Sequence, residues 1–324
     1  NPSGQVDDPA DFTVCNTDVV APVVFTTDRT DGTTSYTWTN SAPGIGLPAS
    51  GAGDLPGFTA DNTGTSPVVA TITVTPVYTN GTVSCSGPAE TFTITVNPTG
   101  QVNDPADQVA CNGSLTSAIV FSTNNAGGTT TYLWNNSDAT IGLTASGTGN
   151  IGAFTAVNTG LVQKTATITV TPRFTNNAVF CDGTPQTFTI TVNPSGKVDD
   201  PADQVLCNGA ATAAVNFTTA NTDGSTTYSW TNNVTGIGLA AAGTGNIASF
   251  TAVNTGTAPV TATIIVTPHY TNGGKTCDGA TESFTITVNP TGQVNDPVDR
   301  VVCNGAATPV ISFTTNNTGG TTQF

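Results

Sequence analysis

Seven cysteines carry the plainest chemistry in this sequence, and they fall on two ladders of a single period. Cys15, Cys111, Cys207 and Cys303 stand 96 residues apart, and so do Cys85, Cys181 and Cys277. No Cys-x-x-Cys occurs, so the pattern points to disulfides and an oxidising, extracellular setting. Two pairings are open. One closes each repeat on itself: Cys15 with Cys85, Cys111 with Cys181, Cys207 with Cys277. The other staples neighbours: Cys15 with Cys181 and Cys111 with Cys277, so that Cys85, Cys207 and Cys303 would pair with further units. Strand direction favours the staple. The first strand of a sandwich ends at Cys15, at the far end of its repeat, while Cys85 precedes the last strand, at the near end. Those ends lie roughly 20–25 Å apart, and a disulfide needs Cα atoms within about 7 Å.

Carboxylates also recur. The segments Asp7-Asp8-Pro9-Ala10-Asp11, Asn103-Asp104-Pro105-Ala106-Asp107, Asp199-Asp200-Pro201-Ala202-Asp203 and Asn295-Asp296-Pro297-Val298-Asp299 hold one column each. Oxygen donors clustered at a repeat junction are what Ca²⁺ takes, and it wants six to eight of them. Two Asp and an Asp or Asn make an incomplete set, and Asp-Pro forms a turn with no metal. Calcium is therefore the only cofactor the sequence suggests, with a plain structural turn as the competing reading.

Other chemistry is missing from the repeated columns. The six bases, Arg29, Lys164, Arg173, Lys197, Lys275 and Arg300, never recur in register, and His269 is the single histidine. That leaves no repeated general base, Schiff-base lysine or Lys–Asn crosslink. Ser and Thr abound with no base in register, and His269 reads as a solvated outward position, so the chain is expected not to be an enzyme. Gly147-Thr148-Gly149-Asn150-Ile151-Gly152 spells G-x-G-x-x-G, but the other repeats break it and no helix follows. A formal charge of −15, with only 8% of residues charged, excludes nucleic acid as a partner and disfavours an anionic membrane surface. No apolar run is long enough to span a bilayer.

These residues need a scaffold that repeats as they do. Asn-Pro-Ser/Thr-Gly opens at Asn1, Asn97, Asn193 and Asn289, which divides the chain into 1–96, 97–192, 193–288 and a truncated 289–324. A period this long marks an array of whole domains, and the simplest expectation is a window cut from a longer array. In Ala70-Thr71-Ile72-Thr73-Val74-Thr75 and again at Phe92, Ile94 and Val96, apolar side chains alternate with Thr, the signature of half-buried antiparallel strands. Strands are expected over roughly 12–15, 22–27, 35–40, 44–48, 56–61, 69–79 and 89–96 of the first repeat. Seven short strands per repeat predict an all-β chain of tandem seven-stranded immunoglobulin-like β-sandwiches in a linear array. Trp38, Trp134 and Trp230 are expected in the cores, as are Phe25, Phe121, Phe217 and Phe313. Between Val96 and the next repeat only Asn97-Pro98-Thr99-Gly100 intervene, so neighbouring repeats of the same chain should touch and the array should be stiff.

The string Gly-Gln-Val-Asn-Asp-Pro-Ala-Asp-Gln-Val…Cys-Asn-Gly, followed by Thr-Tyr-Ser-Trp-Thr-Asn and Phe-Thr-Ile-Thr-Val-Asn-Pro, resembles the tandem PKD-like/Ig-like repeats of the giant mobile gliding adhesins of flavobacteria. The likeness spans the chain, at Gly4–Cys15, Gly100–Cys111, Gly196–Cys207 and Gly292–Cys303. It implies type IX secretion, a cell-surface filament driven by the gliding machinery, and contact with surface polysaccharide. The function expected is thus a structural stalk of an extracellular adhesin used in gliding and attachment. The alternative is a polyvalent module with a weak glycan site on each repeat, where repetition raises avidity. The Thr rows on outward faces fit either reading, since Thr is also a good strand former on an exposed face.

Overall fold

The computed structural model describes residues 1–324. Its elements are strands and three single-turn 3₁₀ helices, and no helix is long and apolar enough to cross a membrane. The chain folds as two compact units. One comprises 1–108, 116–154 and 165–190; the other comprises 109–115, 155–164 and 191–324. The second sequence repeat thus contributes to both.

In the first unit, the first repeat forms β1 (Phe12–Cys15), β2 (Val19–Val20), β3 (Thr33–Asn40), β4 (Ser50–Ala52), β5 (Phe58–Thr59), β6 (Val68–Asn80), β7 (Val83–Ser86) and β8 (Glu90–Asn97). The main sheet has the order β1-β8-β6-β3-β4, with β7 added to β6, and β2 pairs with β5 in the facing layer. The period-two pattern sorts the side chains as expected. On β6, Ala70, Ile72 and Val74 are fully buried and share one core with Phe92, Ile94 and Val96 of β8, which also takes Trp38, Tyr36 and Phe25. The first strand pairs parallel with the last, Cys15 opposite Asn97, so Cys15 does lie at the end of the repeat where the chain leaves it.

The next repeat supplies β9 (Gln108–Cys111), β10 (Thr129–Asn136), β11 (Ser146–Thr148), β12 (Lys164–Asn176), β13 (Val179–Asp182) and β14 (Gln186–Asn193). The third supplies β15 (Gln204–Cys207), β16 (Ser225–Asn232), β17 (Ala242–Thr244), β18 (Val260–Asn272), β19 (Lys275–Asp278) and β20 (Glu282–Asn289). Their sheets keep the same order, β11-β10-β12-β14-β9 and β15-β20-β18-β16-β17. The facing layer is thinner here and is held by isolated bridges such as Ile119 to Ile151 and Val215 to Ile247. These are tandem β-sandwiches of immunoglobulin-like build.

Three local expectations need correcting. Residues 22–27 are not a strand: Val23 makes a single bridge to Leu55, and the paired strand lies earlier, at Val19–Val20. Residues 44–48 are not a strand. Pro43–Ile45 is a 3₁₀ turn ended by Gly46 at φ 91°, and Ile45 and Leu47 are both buried from that turn, so an apolar-Gly-apolar run imitates period two. Phe313 is not a core residue. It is about half exposed and stacks on Phe324, because residues 290–324 form no strand of their own.

One buried polar residue recurs beneath the exit of every sandwich. Asn158, 1% exposed, donates from Nδ2 to the Val162 and Val192 carbonyls at 2.8 and 2.7 Å and accepts the Gly160 N–H at 3.0 Å. Asn62 and Asn254 make the equivalent bonds, to Val96 and Val288 among others. Removing the amide strands a buried carbonyl, which costs about 1–3 kcal/mol. Asn158→Ala is expected to lose about 2–3 kcal/mol by urea denaturation, whereas a solvent-facing neighbour such as Thr159→Ala should change little.

Candidate functional site

The recurring polar and cysteine columns meet where one repeat gives way to the next. The hairpin that follows the longest strand is the focus. In the first unit, β12 and β13 join through Asn177 and Ala178, both at positive φ (48° and 61°), the geometry of a type I′ turn. This turn brings Cys181 back to the base of the hairpin, where the four residues that open the repeat are anchored. Asn97 is fully buried; it donates to the Asn176 carbonyl and accepts from Asn176 Nδ2 at 3.0 Å. The Gly100 N–H donates to the Cys181 carbonyl at 3.1 Å. That approach leaves no room for a side chain, since a Cβ on Gly183 would stand 1.7 Å from the Gly100 oxygen.

The second unit repeats the arrangement. Asn193, fully buried, donates to the Asn272 carbonyl at 2.8 Å. Gly196 N–H reaches the Cys277 carbonyl, and Gly279 lies against Gly196 as Gly183 lies against Gly100. The first hairpin shows the same parts: Asn1 bonds the Asn80 carbonyl, Gly4 N–H bonds the Cys85 carbonyl at 3.1 Å, and Gly87 abuts Gly4.

Held this way, the hairpins of the second and third repeats each meet the first strand of the preceding repeat. Cys15 is bonded to Cys181 and Cys111 to Cys277, each with Cα atoms 5.5 Å apart. Cys85, Cys207 and Cys303 are free thiols. The bond within one repeat does not form, because Cys15 ends beside Asn97 while Cys85 is seated on Gly4 at the opposite end of the sandwich. Further bonds flank the staples. Asn177 Nδ2 bonds Thr13 Oγ1 at 3.2 Å, Ala126 N–H bonds the Thr65 carbonyl at 2.9 Å, and Thr222 N–H bonds the Leu161 carbonyl at 3.2 Å. One sequence signal of this joint escapes a reading confined to reactive side chains: Gly87, Gly183 and Gly279 recur two residues after each hairpin cysteine.

The acidic segments are not gathered into a cage. Asp7 accepts from Thr26 Oγ1 at 2.7 Å, and Asp199 accepts from Thr218 Oγ1 at 2.6 Å. Asn103 donates to Ser122 Oγ. Asp11, Asp107 and Asp203 each accept one backbone N–H, of Thr93, Thr189 and Thr285, all at 2.6 Å. Asp8, Asp104 and Asp200 are exposed to solvent. No three His, Cys, Asp or Glu side chains come close enough together to hold a metal ion. Each last Asp of the segment instead ties the entry of a strand to its neighbour. The bond from Thr189 holds the Asp107 carboxyl below its ordinary value of 3.8, and the bond from Thr285 does the same for Asp203. A depressed folded value means that the bond stabilises fully above the ordinary carboxylate range and is lost as pH falls through the lowered value. Melting temperature should therefore fall on acidification below about pH 4. The pair Asp107→Asn and Asp203→Asn, which keeps the acceptor without the titration, should flatten part of that fall. Calcium or a chelator should leave the neutral-pH melting temperature unmoved.

His269 is not the solvated side chain its column suggests. Its Nδ1 lies 2.6 Å from Asp278 Oδ1 and its Nε2 2.8 Å from Ser229 Oγ, so one serine does stand in register with a base. The row is a rung across β16, β18 and β19, not an acyl-transfer site. Ser229 sits mid-strand between Thr244 and Thr267, where strand pairing engages the backbone N–H groups an oxyanion would need. The same rung is Arg173 paired with Asp182 in the preceding repeat, where the guanidinium lowers the Asp182 carboxyl, and Val77 opposite Ser86 in the first. The G-x-G-x-x-G match is likewise structural: Gly147 lies flat on the Trp134 ring, and Gly149 turns at φ 70°.

No protein-family model matches the chain, and no curated protein matches it. Solved structures of tandem β-domains do. Mouse cadherin-23 EC22-24 is 11% identical with a TM-score of 0.39, covering 90% of this chain and 100% of that one. Three N-terminal domains of the bacteriophage RB49 highly immunogenic outer capsid protein are 11% identical at 0.38, covering 89% and 98%. The I9-I11 tandem from titin is 14% identical at 0.29, covering 89% and 99%. The chain is similar to these in being a tandem of β-sandwiches, and the likeness carries no argument about ligand or partner.

Proposed function

We propose that this chain is a load-bearing stalk of a long extracellular surface adhesin, of the gliding and attachment kind that its repeats resemble. The observation that carries this reading is the staple. At two successive joints, a disulfide ties the first strand of one repeat to the hairpin of the next, in the same register. A binding array would invest its recurring residues in an exposed pocket or platform. Here the recurring Trp, Asn, Gly and Cys columns lie in cores and joints, and covalent bonds across joints resist tension. Export through the type IX route, an oxidising surface location and partners in the gliding machinery belong to this proposal, supported by the resemblance and by the disulfides.

Electron micrographs of the oxidised chain are expected to show a straight thin fibre, and antibodies against it should label intact, unpermeabilised cells. A string of freely jointed beads, or labelling only after permeabilisation, would overturn the stalk. A glycan array should return no hits; reproducible binding to one glycan class would transfer the assignment to a polyvalent lectin.

A further inference from the structure

Asparagine followed by glycine is prone to rearrange, because a backbone nitrogen next to a carbon without a side chain reaches the Asn side-chain amide unobstructed. Asn112-Gly113, Asn208-Gly209 and Asn272-Gly273 are three such pairs in the second unit. The first two are locked. Gly113 N–H donates to the Ala156 carbonyl at 2.7 Å and Gly209 N–H to the Ala252 carbonyl at 2.8 Å, so each nitrogen is engaged. Their side chains are engaged as well: Asn112 Oδ1 accepts the Asn158 N–H and Asn208 Oδ1 the Asn254 N–H, both at 2.8 Å. Asn272 differs. It ends β18, and Gly273 and Gly274 turn the chain into β19 at φ 56° and 71°. Both glycines are exposed, and the Gly273 N–H has no backbone acceptor. This tip belongs to the joint. The space beside Gly273 is filled by Val109 of β9, two residues before Cys111. The Asn272 carbonyl is the one that Asn193 Nδ2 holds at 2.8 Å, and the Asn272 side chain donates to the Asp223 carbonyl.

We propose that Asn272 is a self-modification site, deamidating through a succinimide with Gly273, and that the isoaspartate product loosens the joint held by Cys111–Cys277. The Gly273 nitrogen, its proton lost to hydroxide, attacks Cγ of Asn272. The bond from Cγ to the side-chain nitrogen breaks, and that nitrogen takes up a proton and leaves as ammonia. One water then opens the five-membered ring at either carbonyl, giving aspartate or isoaspartate at position 272. One water enters, one ammonia leaves, and nothing is oxidised or reduced. Isoaspartate adds a methylene to the backbone where Asn193 grips it. A carboxylate also replaces the amide that donated to the Asp223 carbonyl, so two acceptors face each other. The hairpin that carries Cys277 is thereby unseated from its anchor, while the hairpin of Cys181, whose tip reads Asn176-Asn177-Ala178, lacks the Asn-Gly pair.

Nothing in this chemistry depends on the stalk reading. The full oxidised chain is aged in mildly alkaline buffer at physiological temperature and mapped by peptide mass spectrometry with fragmentation that separates aspartate from isoaspartate. Conversion at Asn272 is expected at least about tenfold faster than at Asn112 or Asn208, because those two must first open locally. In the reduced chain unfolded by urea the three pairs should convert at similar rates, which separates the effect of the fold from that of the dipeptide. Limited reduction of the aged chain should open Cys111–Cys277 at least about threefold faster in isoaspartate-bearing molecules than in fresh ones, with Cys15–Cys181 unchanged, since exchange follows access to the sulfurs. Asn272→Gln, aged alike, should keep the fresh rate. Conversion of Asn112 or Asn208 in the folded chain as fast as Asn272, or an intact Asn272 after the unfolded chain has converted, would overturn the site. Equal reduction rates in aged and fresh chain would overturn its effect on the joint.

Discussion

Pulled from its two ends, the oxidised chain is expected to reach about a quarter of the extension of the reduced chain between Cys15 and Cys277. The two disulfides overlap, Cys15 to Cys181 and Cys111 to Cys277. Three stretches of chain therefore run in parallel between the two bonds, and the shortest, from 111 to 181, limits the extension. About 70 residues at 3.3–3.6 Å each span ~250 Å, against ~900 Å for the roughly 260 residues released by reduction. Single-molecule force spectroscopy with and without reductant reads this directly, and equal contour lengths would show that the staples do not carry load. The same bonds act at equilibrium. Each closes a loop with a sequence separation of 166, for which the chain-entropy relation gives ~5 kcal/mol. Because the loops overlap, the double variant Cys15→Ser, Cys111→Ser is expected to lose less than twice that. A chemical denaturation midpoint unchanged in that variant would contradict the account.

What was legible in the sequence followed from periodicity. Ala70, Ile72 and Val74, Phe92, Ile94 and Val96, and the Trp column announce strands and cores because a half-buried strand must alternate. The cysteine ladders gave the staple as one of two pairings because a disulfide is a short-range object and the two ends of a sandwich are far apart. Features set by tertiary approach were not legible. Residues 43–47 alternate like a strand yet turn at Gly46, where a Cβ would lie 2.1 Å from the Thr59 carbonyl oxygen. The strand β7 is hidden in the sequence because its four residues, Val83–Ser86, are mostly exposed and carry no apolar alternation. His269 looks solitary along the chain, and only the register between β16, β18 and β19 places Ser229 and Asp278 beside it. The last acid of each of the first three segments has a structural task that the sequence does not display: Asp11, Asp107 and Asp203 accept an N–H group from a strand 82 residues further on.

The glycine column behind the hairpin cysteines is the strictest of these tertiary constraints, and it should be the most sensitive to change. In Gly183→Ala the new methyl group meets the Gly100 carbonyl oxygen, and in Gly279→Ala the Gly196 oxygen, each 1.7 Å from the ideal Cβ position. Both obstacles are backbone, so no rotamer change relieves them. The hairpin must lift away, breaking the 3.1 Å bond from Gly100 N–H to the Cys181 carbonyl. Overpacking of this kind costs about 1–3 kcal/mol and the lost bond adds about 1 kcal/mol, so ~3 kcal/mol per site is expected. The larger consequence is chemical. Cys181 sits two residues from the clash, and its Cα lies 5.5 Å from that of Cys15, inside a disulfide window that closes near 7 Å. A shift of about 1.5 Å carries the cysteine to the edge of that window. Oxidative refolding of Gly183→Ala should therefore leave Cys15 and Cys181 titratable by a thiol reagent while Cys111–Cys277 still forms. Gly152→Ala is the control, with nothing within 4 Å of its added methyl, and it should stay within about 0.5 kcal/mol of the parent. Full disulfide formation and parental stability in Gly183→Ala would mean that the hairpin is not seated by the glycine approach, and the joint would then owe its register to the asparagines alone.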